Sequence, residues 1–183
     1  VSIFSQKIDA SFINKIGLYF IISCAANSLW IISWHWNRVL FSTLLMFIIL
    51  FSLIMMYLKL NIGKPPIQLK EKIFVRLPVS IYLGWITVAT IANITALLVK
   101  IKWSGFGLSD KFWTISLIIA AVLITVIILF QRRDIAYSLV IIWSLFGIYL
   151  KRKDYSGEVH LLISKISLIG MSVIFIMILA TII

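Results

Sequence analysis

Residues 77–93 read LPVSIYLGWITVATIAN. The run is long and apolar enough to belong to a membrane-crossing helix, yet Tyr82, Trp85, Thr87, Thr90 and Asn93 all carry hydrogen-bonding groups that lipid does not reward. On a helix turning about 100° per residue, Tyr82, Ala89 and Asn93 fall within roughly 40° of one another, with Trp85 beside them. The rest of the surface is mostly Leu, Ile and Val. A polar-aromatic stripe with a small residue at its middle reads as a helix facing a cavity or another helix.

The whole chain supports a membrane setting. Of its 183 residues, 62% are hydrophobic, and the mean hydropathy is +1.12. Soluble domains run at about 45–50% apolar. A fold of this size cannot hide the excess, so the chain reads as an all-α, polytopic transmembrane bundle. The formal charge of +11 does not point to nucleic acid, because the 17 Lys and Arg lie between apolar runs and not on one stripe or tail. They read as span flanks that meet anionic headgroups, which makes membrane lipids the first partner.

Six spans follow from the apolar runs: 16–34, 39–58, 77–99, 112–130, 135–150 and 160–183. The first two are joined through 35–38, which forces an antiparallel hairpin. Gly63, Pro65 and Pro66 stop a helix in the loop 59–76, and Pro78 stands at the start of the third span. Ser109 and Asp110 are candidate caps for the fourth. The fifth has only 16 residues and reads as a short or partly interfacial span. Over all loops the basic residues divide almost evenly. The 59–76 loop carries five and the 35–38 loop one, which puts the N-terminus and the long loop in the cytoplasm. Lys151, Arg152 and Lys153 oppose that orientation.

On the first span Phe20, Ser23, Asn27 and Trp34 share a face, with Trp30 beside it. An amide in hydrocarbon needs a partner, either on a neighbouring helix or in a lined pocket. Trp36, Trp103 and Trp113 lie at span ends, as in an interfacial belt. Trp30, Trp85 and Trp143 lie inside spans, where packing competes with stacking on a flat ligand.

No catalytic constellation is present. The six acidic residues lie outside span centres, and no two share a span face. His35 and His160 stand near span ends without ligand-spaced partners, so no metal site and no required cofactor is expected. Cys24, alone, reads as a packing residue. Lys165 reads as a snorkelling cation and Gln131 to Asp134 as a solvated turn.

The third-span pattern of Pro78, Tyr82-Leu83-Gly84-Trp85, Ala89-Thr90 and Asn93 resembles the last helix of the TspO/MBR family, the tryptophan-rich sensory and translocator proteins. The first span, with Asn27 and Trp30, resembles that family's third helix. The second, ending in Tyr57, is similar to its fourth. The resemblance covers residues 14–100. It divides the single membrane domain into a TspO-like three-helix portion, 1–102, and three additional helices, 103–183, as in a longer bacterial-type member. Nothing before residue 14 matches the family's first two helices, so the chain, which begins at Val1, reads as lacking them.

What the resemblance implies is a protein of the bacterial cell membrane that binds a porphyrin, a haem or a similar flat hydrophobic ligand between helices. The role would be sensory or regulatory, and the protein could pair as a homodimer. Asn27, Trp30, Tyr82, Trp85, Ala89, Thr90 and Asn93 would line the site. Porphyrin degradation enters through the resemblance alone. A permease for a hydrophobic solute and a purely structural bundle are the alternatives.

Overall fold

The computed structural model describes residues 11–64 and 68–182; Asp9, Pro65, Pro66 and the last residue of the sixth span lie outside them. Among the described residues there is no strand, and six helices are long and apolar enough to cross a membrane. They are α1 (Ser11–His35), α2 (Val39–Lys59), α3 (Leu69–Lys100), α4 (Asp110–Arg132), α5 (Ile135–Lys153) and α6 (Glu158–Ile182). The protein is an integral membrane helical protein. Its chain divides into two compact units, Val1–Ile101 and Lys102–Ile183.

The helices overrun the apolar runs at their charged ends, because backbone groups near lipid must stay paired and helix continuation pairs them. The largest overrun corrects the expected loop 59–76. The third helix starts at Leu69, eight residues before Leu77, and passes through a wide π turn at Lys72–Arg76. Pro78 explains that turn. A helical proline offers no N–H and crowds the carbonyl four residues back, here that of Phe74, and a π turn relieves both. Pro78 therefore sits inside a continuous helix and not at its start. The fifth span is likewise longer than expected: 19 residues, or about 28 Å at 1.5 Å per residue, close to the hydrocarbon thickness.

In the first unit α2 packs against both α1 and α3. In its most apolar stretch 50% of residues are buried, against 22% in α1 and 28% in α3, so α2 is the central helix. Ser42, Ser52 and Ser80 are fully buried on α2 and α3, and such small side chains let backbones approach closely. Asn37 turns the chain from α1 into α2 in the left-handed conformation, with Arg38 N donating to Ser33 O at 2.8 Å.

Both ends of α3 are fastened to this hairpin. At one end the Lys100 ammonium donates to the Asn37 backbone oxygen and to Asn37 Oδ1 (3.0 Å). At the other, Arg76 pairs with Glu71 (2.9 Å) and donates to the backbone oxygens of Asn61 (3.1 Å) and Lys64 (3.3 Å).

In the second unit α6 is the shared partner of α4 and α5. Ser109 Oγ accepts from Phe112 N at 3.3 Å and caps α4, as expected. Asp134 differs from the solvated turn foreseen: it is buried at 6% exposure, and its carboxylate caps α5 by accepting from Tyr137 N at 3.1 Å. Lys165 is exposed. His160 Nδ1 lies 3.0 Å from the Arg152 guanidinium, and its ring stacks on Tyr155.

Trp103, Phe106, Phe112 and Trp113 form one aromatic cluster before and within the first turn of α4. Trp113 Nε1 donates to Gly105 O at 3.1 Å. Gly105 has φ +63°, and a Cβ there would stand 3.2 Å from Trp113 Nε1, so the turn requires glycine on both counts. Trp113→Phe keeps the ring contacts but removes this bond. Its expected cost is about 1 kcal/mol, read as a lower thermal unfolding midpoint of purified protein.

Candidate functional site: a cleft between the first and third helices

α1 and α3 both rest on α2 and leave a cleft of about 740 Å³ between them. One wall is α1, from Phe12 to Asn27. The floor is Leu53 and Met56 of α2. The other wall is Phe74, Val75, Pro78, Val79 and Tyr82 of α3. The π turn is what carries Phe74 and Val75 onto this wall.

The lining is mostly aliphatic and phenylalanine, with a few polar groups. Ser23 is satisfied within its own helix, its hydroxyl donating to Phe20 O at 2.8 Å. Asn27 and Tyr82, one on each wall, are half-buried, and neither side chain has a hydrogen bond to another described group. An unpaired amide and an unpaired hydroxyl at this depth are costly unless something in the cleft bonds them. Trp30 follows Asn27 one turn along α1 and stacks against Trp34, with ring centroids 6.2 Å apart. Its indole N–H is buried and has no acceptor among the described residues.

The other sequence-derived candidates lie elsewhere. Asn93 is buried, and its Oδ1 accepts from Ser42 Oγ and Thr43 Oγ1, both at 2.9 Å. It ties α3 to α2 near the end of the helix away from the π turn. Thr43 Oγ1 also lies 2.8 Å from Val39 O, so its single proton is shared between two acceptors. The interhelical tie open to either asparagine is thus made by Asn93 and not by Asn27. Thr90 is buried, with its hydroxyl donating to Ile86 O at 2.7 Å. Ala89 is half-buried. Trp85 is 47% exposed and does not line the cleft. His35 is exposed at the end of α1 and is also absent from the lining.

Asn93→Ala leaves Ser42 without its acceptor, whereas Thr43 keeps Val39 O. The expected loss is about 0.6–2 kcal/mol of stability. A double-mutant cycle with Ser42→Ala, followed by detergent unfolding, should recover most of it as coupling energy.

Phe74, Val75, Leu53 and Met56 are among the lining residues that lie off the polar stripes, as are Phe12, Ile13, Ile16 and Val79. Apolar residues in apolar helices give no signal by type, and Phe74 and Val75 fell in the segment read as loop. Phe20 and Ser23 were marked by their position on the face of Asn27.

The fold and the cleft define a helical integral membrane protein with a laterally walled, sparsely polar cleft in one unit. The chain belongs to the family of TSPO-like proteins, whose family model matches residues 1–180. That match runs past residues 14–100, which carry the resemblance, and spans both compact units. No curated protein and no solved structure matches the chain.

Proposed function

We propose that the cleft between α1 and α3 binds a flat hydrophobic ligand of the porphyrin or tetrapyrrole class, and that the protein serves a sensory or regulatory role. The observation that carries this reading is the pair of unpartnered polar groups, Asn27 and Tyr82, facing a cleft whose lining is otherwise mostly apolar. The volume lies inside the range of about 300–1,000 Å³ that small-molecule pockets occupy. In this reading Phe12, Phe20 and Phe74 supply ring faces to the macrocycle, while the Asn27 amide and the Tyr82 hydroxyl bond its polar edge. A ligand that reaches one turn beyond Asn27 would also give the Trp30 indole an acceptor. Trp85, exposed on α3, takes no stacking part in this arrangement.

The proposed setting is a bacterial cell membrane, with the N-terminus and the Lys59 to Arg76 segment on the cytoplasmic side, on the strength of the basic excess there. The test is a titration of the purified chain with protoporphyrin, followed by quenching of tryptophan fluorescence. Saturable quenching with one ligand per chain supports the reading. Quenching that rises linearly with ligand, as in protein-free detergent partitioning, would remove it.

A further inference from the structure

A second concavity of about 780 Å³ lies at the end of the first unit where α1 turns into α2 and α3 ends. Its composition differs from that of the cleft. Arg38 and Lys100 stand in it with Trp36 and Asn37, and no acidic residue is among its lining. The Lys100 ammonium is held by the two oxygens of Asn37, both neutral, so its charge is fixed in place but not cancelled. An ammonium has three donors, and one remains. Arg38 is exposed, and its guanidinium has no partner among the described residues. Trp36, 69% exposed, stands beside this pair as an interfacial anchor.

Below the two cations the lining becomes apolar. Phe41 and Leu44 project from α2, at 52% and 53% exposure, and Leu97 flanks them from α3. The order from the end of the unit inward is therefore two positive charges, an indole and an amide, then a hydrocarbon strip between two helices. That is the polarity profile of an anionic amphiphile.

We propose that this groove is a specific site for one anionic phospholipid. The phosphate is held by Arg38 and the free Lys100 donor, and an acyl chain lies along Phe41, Leu44 and Leu97. The charge complementarity selects an anionic headgroup over a zwitterionic one, and the apolar strip selects a lipid over a free anion. The site shares no residue with the cleft, so it stands or falls independently of porphyrin binding.

The experiment is native mass spectrometry of the full chain released from detergent, titrated separately with phosphatidylglycerol, phosphatidylcholine and inorganic phosphate. One phosphatidylglycerol should be retained per chain, saturably, with at least fivefold preference over phosphatidylcholine. Arg38→Gln should remove most of that preference, and Arg38→Lys should restore much of it. Arg38 is exposed and its side chain has no partner among the described residues, so these variants should fold. Lys165→Gln, an exposed cation of the second unit, should leave retention unchanged. Equal retention of phosphatidylcholine, an unaltered Arg38→Gln profile, or a Lys165→Gln effect as large as that of Arg38→Gln would overturn the site. Retention of inorganic phosphate as firm as that of the lipid would overturn the lipid assignment.

Discussion

Replacing Asn27 by Ala together with Tyr82 by Phe should raise the protoporphyrin dissociation constant at least tenfold. Each change deletes one hydrogen-bonding group from an apolar cleft and leaves a polar atom of the ligand unpaired, at a cost of about 1–3 kcal/mol each. A factor of ten corresponds to about 1.4 kcal/mol, so even the lower end of the combined loss exceeds it. Neither side chain holds another described residue, and each is an unpaired polar group in the cleft, so the double variant should not lower the unfolding midpoint. Trp85→Phe should change affinity little, because Trp85 does not line the cleft. Asn93→Ala should act on stability first, since it unties α2 from α3. The measurement is the same fluorescence titration, run at a fixed ratio of detergent to protein. If Trp85→Phe and Asn93→Ala abolished binding while Asn27→Ala with Tyr82→Phe did not, the ligand would sit elsewhere.

The largest stability effect is expected at Gly170. A Cβ there would stand 2.8 Å from Val122 Cγ2 of α4 and 3.3 Å from Leu145 Cδ1 of α5, so α6 meets both neighbours at this point. Valine is stiff at χ1 and cannot swing its methyl away without a poor rotamer. Gly170→Leu forces four carbons into that space and must push helices apart. Overpacking typically costs about 1–3 kcal/mol, and a site closed on two sides by different helices belongs at the upper end. Unfolding by sodium dodecyl sulfate, followed by helical circular dichroism, should show Gly170→Leu strongly shifted and Gly170→Ala intermediate. Gly147→Leu is the matched control, because a Cβ at Gly147 meets nothing within 4 Å. Equal shifts at 147 and 170 would show that loss of glycine, and not the three-helix contact, sets the cost.

The membrane character and the six spans are legible in the sequence because hydropathy integrates over some twenty residues and tolerates local exceptions. The start of the third helix is not. Lys70, Glu71 and Lys72 look like loop by charge, and Pro78 looks like a first-turn proline, yet the helix passes through both with a π turn. A rule about where proline is cheapest cannot say when a widened turn makes it tolerable elsewhere. The polar stripes were legible as stripes, but their partners were not. Asn27 and Asn93 have the same side chain in similar company. One faces an open cleft and the other faces Ser42 and Thr43, and that difference depends on which helix stands opposite. Asp134 shows the same limit, since its neighbours Arg132 and Arg133 suggest solvent while its carboxylate is buried at a helix start.

The fastening of α3 at both ends has a consequence for selectivity. With Lys100 joined to Asn37 and Arg76 joined to Asn61 and Lys64, the α3 wall of the cleft is positioned during folding and not on binding. The ordering cost that differs between occupants is then mainly their own. A rigid macrocycle has almost no internal rotations to freeze, whereas an acyl tail of equal area has many. The surrounding bilayer offers tails in vast excess over any specific ligand, so under the proposed function a cleft wall framed beforehand would favour the stiff minority solute over the abundant flexible one.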